Sequence, residues 1–379
     1  MRHPHTRHLL VVCGAGAVLF GASTLPRAAA SMPDWAYAIP QPPPGGAPAA
    51  APAPDTTPRQ LPGSTLTFTR PQISDGFGPA DWFPGDHPRM PEIVAHGKRP
   101  DVRACGLCHY PNGKGRQENA GVAGLPVSYF IQTMNDFRDG LRKSAESRKA
   151  NTNLMIQYAK TMTADEIKEA AQYFGAMPWT PWVRVVETST VPKMVSRGGI
   201  WIPVEGGAKE PIGTRIVETP ENPEHTEILR DPRSGFIAYA PVGSIKRGEA
   251  LARTGGGGKT EACATCHGAD LKGMGPVPGI AGRSPSYLVR QMYDMQAGAR
   301  HGEWAELMKP VVAKLGDEEI GDPGRGLWRE GPGGVVELGR SIEGDGLRHG
   351  RTGSPSEPSR RSNTSSSDPV PSTGISRSA

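Results

Sequence analysis

The sequence predicts a mainly α-helical protein made of two versions of one unit in tandem, joined by a partly β-stranded, irregular connector. Three observations carry this: a cysteine pattern that occurs twice, a register of matching residues around each copy, and amphipathic runs that stop at glycine or proline. At 379 residues the chain is long enough for two or three domains. Its 49 glycines and 39 prolines keep a sizeable part out of regular structure, while 36% hydrophobic residues suffice for buried cores.

Taken in order, residues 1–30 read as an export signal. Basic Met1 to His8 precedes an uncharged apolar run from Leu9 to Leu25, and Ala28-Ala29-Ala30 supplies a small-residue cleavage position. Cys13 sits behind Val12, where a lipoprotein signal would carry a small residue, and is incidental. Cleavage places the remainder in a bacterial periplasm, and an uncleaved N-terminus would leave the chain associated with the membrane. Residues 31–80 form a Pro/Ala-rich extended segment, with residues 33–63 expected as an unfolded tether. The net charge of +5 comes mostly from the ends, including Arg2, Arg7 and Arg27, and the middle is close to neutral. No concentrated basic face is offered to nucleic acid, so a nucleic-acid partner is excluded.

Beyond the signal four cysteines remain, as Cys105-Gly-Leu-Cys108-His109 and Cys263-Ala-Thr-Cys266-His267. Two thiols separated by two residues can each form a thioether to one vinyl group of heme. The adjacent histidine then lies beneath the iron, free to ligate it. A structural zinc site would want the two pairs close in sequence, and a thioredoxin-like pair would want a βαβ pattern where Gly-rich loops stand. Plain disulfides are the other reading in an oxidising compartment.

The surroundings of the motifs repeat as well. Ser128-Tyr129-Phe130-Ile131 matches Ser286-Tyr287-Leu288-Val289 at an offset of 158 residues, the offset that relates His109 to His267. Met134 and Met292, Asp136 and Asp294, Gly140 and Gly298, and Arg142 and Arg300 keep that register. Leu154-Met155 and Leu307-Met308 match at a shorter offset, so the first copy has the longer loop. Tyr129 to Phe137 and Tyr287 to Met295 carry apolar residues at helical spacing and end at Gly140 and Gly298. Thr163-Ala164-Asp165-Glu166 is a capping box opening a helix that ends near Gly175 and Pro178.

Each unit resembles a class I, mitochondrial-type cytochrome c domain, and the pair resembles a diheme cytochrome of the c4 or c553-like kind. The resemblance implies cytochrome c domains at 81–177 and 244–320, with a connector at 178–243. It implies two heme c groups attached through Cys105, Cys108, Cys263 and Cys266, with His109 and His267 on iron. A methionine from the far side completes such a site, just before the closing helix, which points to Met155 and Met308. Met162 and Met274 are the alternatives, and Met134 and Met292 read as core residues inside the Tyr helices. His87, His96 and His301 read as surface or loop residues, with His96 the one histidine that could replace a methionine. The family's loop proline, whose carbonyl accepts the axial histidine's other N–H, falls on Pro276, with Glu118 at the corresponding place in the first copy.

In the connector, Val183 to Thr190 and Ile200 to Val204 are β-branched runs broken by Pro and Gly, read either as a plain joint or as a docking surface for a redox partner. After Asp317-Glu318-Glu319-Ile320 the chain meets Gly321, Pro323 and Gly324, and from 321 onward it has no Lys, Met, Phe, Tyr or Cys. Residues 321–379 are therefore expected to be a disordered or frame-shifted tail. No nucleophile–base pair or nucleotide motif stands in the chain, so no catalytic residue is assigned and an electron carrier is expected. Its partners would be redox proteins: a dehydrogenase or quinol-oxidising complex as donor and a terminal oxidase as acceptor. A diheme peroxidase with one open iron, and a cytochrome subunit fixed to a dehydrogenase, are the competing readings.

Overall fold

The structure, a computed structural model, describes residues 32–40 and 53–326. The expected export signal and the chain beyond 326 lie outside the described residues.

In the first unit the motif helix Cys105–His109 is followed by three helices of twelve residues each: Val127–Arg138, Ala150–Thr161 and Ala164–Gly175. The last starts where its capping box places it, with the Thr163 hydroxyl accepting the Glu166 N–H at 3.2 Å and the Glu166 carboxylate accepting the Thr163 N–H at 2.7 Å. Its Ile167, Ala170, Ala171 and Phe174 are buried at helical spacing, and Ile167, Ala170 and Phe174 join Val94, Met134, Phe137 and Ala159 in one core. Phe174 is fully buried and stacks on Phe130, with ring centroids 6.2 Å apart.

The second unit follows the same plan with shorter parts. Helix Ser244–Gly258 leads to the motif helix Cys263–His267, then Pro285–Gln296, Glu303–Glu306, Lys309–Val312 and Asp317–Gly326. Where the first unit has the single helix Ala150–Thr161, the second has two separate turns. Pro310 explains the break: inside a continuous helix its ring would clash with the carbonyl four residues earlier, whereas near the start of Lys309–Val312 it has no such cost.

Two expectations need correction. The closing helix of the second unit does not stop at residue 320 but runs to Gly326, packed against Ser244–Gly258 and Pro285–Gln296. Ile320 is fully buried, Glu319 pairs with Lys259, and the Glu319 carboxylate accepts the Gly316 N–H at 2.9 Å. Tertiary contact outweighs the poor helix propensity of Gly321 and Pro323. The Pro/Ala-rich segment 31–80 is likewise no extended tether in its described parts. Asp34–Tyr37 forms a helical turn whose Ala36 and Tyr37 enter the core of the second unit, and Leu61 and Ile73 join Trp82 and Phe83 in a separate cluster. A few apolar anchors set among prolines are enough to dock a segment whose average composition reads as unfolded.

The connector wraps this pair. Val183–Glu187 runs parallel to Phe236–Ala240, which pairs antiparallel with Val217–Pro220, and Val183, Phe236 and Ala238 extend the second core. Two small ladders, Thr190–Pro192 with Lys209–Pro211 and Met194–Arg197 with Ile200–Pro203, project from it.

The two units meet across a local pseudo-two-fold axis that the repeat register dictates. Arg142 and Arg300 face each other in an antiparallel bridge, with Lys143 N–H donating to Ala299 O at 2.8 Å and His301 N–H to Leu141 O at 2.9 Å. Arg142 donates to the Tyr287 hydroxyl at 3.0 Å, and Arg300 to the Tyr129 hydroxyl at 2.9 Å. Each residue thus bonds the repeat equivalent of its own neighbour.

His87 lies in a loop, as expected, but its side chain is only 4% exposed, with Nδ1 on Pro88 O at 2.9 Å and Nε2 near the Asp81 carboxylate at 3.2 Å. Burial by itself pulls the imidazolium down, but the Asp81 and Pro88 oxygens outweigh it and hold the pKa above its ordinary 6.5. A raised folded-state pKa means the stabilisation is fully present below the unfolded value and is lost as pH rises through the folded one. A His87→Gln variant should therefore lose most stability against the parent below the ordinary pKa of 6.5, with the difference shrinking as pH rises above it, as read by denaturant titration. In the same assay Thr163→Ala should cost about 1 kcal/mol through the lost cap, and Phe174→Ala about 3–5 kcal/mol through the cavity it leaves.

Candidate functional site

Cys105, Cys108 and His109 occupy positions one, four and five of a single five-residue helix, and so do Cys263, Cys266 and His267. Such spacing brings the three side chains to one helical face. A helix this short is unstable alone and depends on what packs around it. Both leave the helix through a positive φ immediately after the histidine, at Tyr110 (φ 61°) and Gly268 (φ 86°). Gly268 adopts this freely, whereas Tyr110 is held there by burial.

Each histidine is fixed by one hydrogen bond. His109 Nδ1 lies 2.8 Å from Ala120 O, and His267 Nδ1 lies 2.8 Å from Pro278 O. A carbonyl can only accept, so Nδ1 carries the proton and Nε2 keeps its lone pair. Burial pushes both imidazoles below their ordinary pKa, against the pull of these carbonyls. Neutral rings with a free Nε2 are what a metal ion requires. The acceptors correct the expected positions: Pro278, not Pro276, serves the second unit, and Ala120, not residue 118, serves the first. Ala120 and Pro278 are related by the repeat offset, a signal the sequence held.

His109 lines a half-open cavity. Its walls are apolar, from Val122, Leu125, Phe130, Met134, Phe137 and Met155, and its other end is polar, with Tyr129, Arg142, Lys149, Tyr287, Arg290 and Asp294. This lining suits an amphipathic group with an apolar face and an acidic edge. At the polar end burial and Arg290 hold the Lys149 ammonium down at about 7, so a bound carboxylate would restore its charge. Tyr129 would be pushed up by burial, yet Arg300 and Arg142 outweigh this and hold it below its ordinary value.

Met155 shares the cavity with His109, as does Met134, while Met162 lies in the core behind it. In the second unit Met308 is half-buried against the core and Met292 is part of that core, whereas Met274 is 57% exposed on a hairpin. Neither His267 nor Met308 lines this cavity or a second, shallower one between Met295, Gly298, Lys309 and Ala313. His96 is on the surface near Phe77 O, and His301 is exposed.

The connector covers the two motifs unequally, through contacts that no local pattern in the sequence signals. Arg230 donates to Leu107 O inside the first motif, Asn112 to Pro232 O at 2.8 Å, and Glu227 pairs with Arg116 at 2.7 Å. Arg116 also meets Glu118 at 2.8 Å, a buried cluster beside the first loop. Cys105 and Cys108 are half-buried, and burial pushes the Cys105 thiol up to about 12. Cys266 is exposed.

No protein-family model matches the chain. It is 44% identical over 61 residues to the thiosulfate dehydrogenase electron acceptor of Stutzerimonas stutzeri, a match covering 16% of this chain and 27% of that protein. It is 38% identical over 65 residues to cytochrome c-554(548) of Halomonas halodenitrificans, covering 17% of this chain and 78% of the relative. Cytochrome c4 of Stutzerimonas stutzeri is 30% identical over 132 residues, covering 30% of this chain and 60% of that protein.

Proposed function

The chain belongs to the cytochrome c family, in tandem form, and we propose that it holds two covalent heme c groups and passes electrons between redox proteins in the periplasm. One observation carries the reading: each histidine that follows a cysteine pair is locked by a backbone carbonyl into the tautomer that leaves Nε2 free, on the same helical turn as two thiols.

Bound heme supplies one-electron chemistry at iron. The chain's own residues do the rest. Cys105 and Cys108 would hold the first group and Cys263 and Cys266 the second, with His109 and His267 as ligands to iron. Met155, on the cavity that His109 lines, would be the other ligand of the first site, and Met308 that of the second. Lys149 and Arg290, which line the same cavity, would pair with the acidic groups of the cofactor. Iron held by two side chains would have no position for substrate, which favours a carrier over a peroxidase.

The donor in this reading is a dehydrogenase or quinol-oxidising complex, and the acceptor a terminal oxidase. The relative named as the electron acceptor of thiosulfate dehydrogenase supports the dehydrogenase. The second site, with Cys266 exposed where the connector covers Cys108, is the docking end. Among the described residues no helix is long and apolar enough to cross a membrane.

Protein purified from an exporting host should keep its color in the polypeptide after acidified solvent extraction and give two hemes per chain. The weak red-end band of sulfur on ferric iron should fall by about half in Met155→Ala and again in Met308→Ala. Color lost to the solvent would sink covalent attachment. A band untouched by both substitutions would sink the methionine assignment.

A further inference from the structure

Arg283 follows the Gly-rich loop of the second unit and is 5% exposed. All three of its side-chain nitrogens donate to backbone carbonyls. Nε reaches Gly279 O at 2.7 Å, one terminal nitrogen reaches Gly121 O at 2.7 Å, and the other reaches Ala123 O at 3.2 Å. Gly121 and Gly279 are repeat equivalents, and each directly follows the residue whose carbonyl holds an axial histidine, Ala120 and Pro278. One guanidinium therefore ties together the two loops that orient His109 and His267.

Trp179 completes the joint. The guanidinium lies 4.3 Å from the centroid of its ring, and its Nε1–H donates to Ala281 O at 3.2 Å. A Cβ on Gly121 would lie 2.7 Å from the Trp179 ring, and one on Gly282 would meet Pro181 at 3.0 Å, so both loops need glycine to close on this side chain. Burying a guanidinium is costly unless it is hydrogen-bonded, and here each of its three nitrogens finds a carbonyl, with both loops supplying acceptors. Burial pushes Arg283 down to about 10, which still leaves it charged at neutral pH.

We propose that Arg283 is a positioning residue shared by the two heme sites, which sets both axial histidines through the loops that hold them. The inference rests on the heme reading above. The cation draws electron density from the loop peptides, which weakens the pull of the Ala120 and Pro278 carbonyls on the histidine N–H groups. Less basic imidazoles stabilise ferric iron less, so the cation raises both potentials together. Lysine would keep the charge without the fork that bridges three carbonyls.

Redox titration of the holoprotein with two resolved midpoints, together with the NMR shifts of the two axial histidine Nδ1–H protons, tests this. Arg283→Met should lower both midpoints and move both proton signals. Arg283→Lys should move both signals with smaller downward shifts. Arg233→Met, a charge loss on the exposed Asp86 pair, should move neither. If only the second site responds, or neither does, the shared role is overturned. Should the methionine variant fail to fold, the lysine variant decides by the same readout. Fewer than two hemes per chain in the parent would overturn the cofactor reading instead, before any variant is made.

Discussion

The rest of the structure depends on a hydrogen bond of 2.8 Å from an imidazole N–H to a backbone carbonyl, made once in each unit. It sets which nitrogen carries the proton, hence which one can bind metal, and it turns the ring to face the space beyond. Nothing within the motif can make this bond. A five-residue helix has no spare carbonyl in the right place, so the acceptor must come from a loop eleven residues downstream, brought back against the helix. The positive φ after each histidine, the glycines of the loop, and the helices that pack behind it all serve that return.

Duplication doubles this requirement and also offers a way to meet it. Because the units face each other about a local two-fold axis, residues of one complete the other. Arg142 and Arg300 exchange bonds with Tyr287 and Tyr129, and Arg290 and Asp294 of the second unit close the cavity of the first. Arg283 uses the same proximity to hold two loops with one side chain. These bonds are buried, so losing one partner leaves a desolvated charge or carbonyl behind. Breaking such a network costs more than its net contribution to stability.

Symmetry is then broken by what lies outside the repeat. The connector covers the first motif through Arg230, Asn112 and the Arg116 cluster, and the short N-terminal turn Asp34–Tyr37 fills the core of the second unit. Tyr37 donates to Asp294 at 3.4 Å, and Arg290 donates to Ala36 O at 2.9 Å, so this turn also braces the polar end of the first cavity. Two copies of the same Cys-x-x-Cys-His motif therefore sit in different dielectric surroundings.

The sequence alone determined what depends on short-range spacing. The two Cys-x-x-Cys-His motifs, the capping box at Thr163, the helices around Tyr129 and Tyr287 and the repeat register are all local patterns, because helical geometry converts residue spacing directly into a shared face. Tertiary structure alone decided where the chain returns to itself. Which carbonyl holds each histidine, how Arg283 spans both loops, why Ala36 and Tyr37 are buried inside a proline-rich stretch, and how Gly321 and Pro323 remain helical are settled by contacts between residues far apart in sequence. Those contacts are selected by the free energy of a whole packed core, and no window of neighbouring residues contains it.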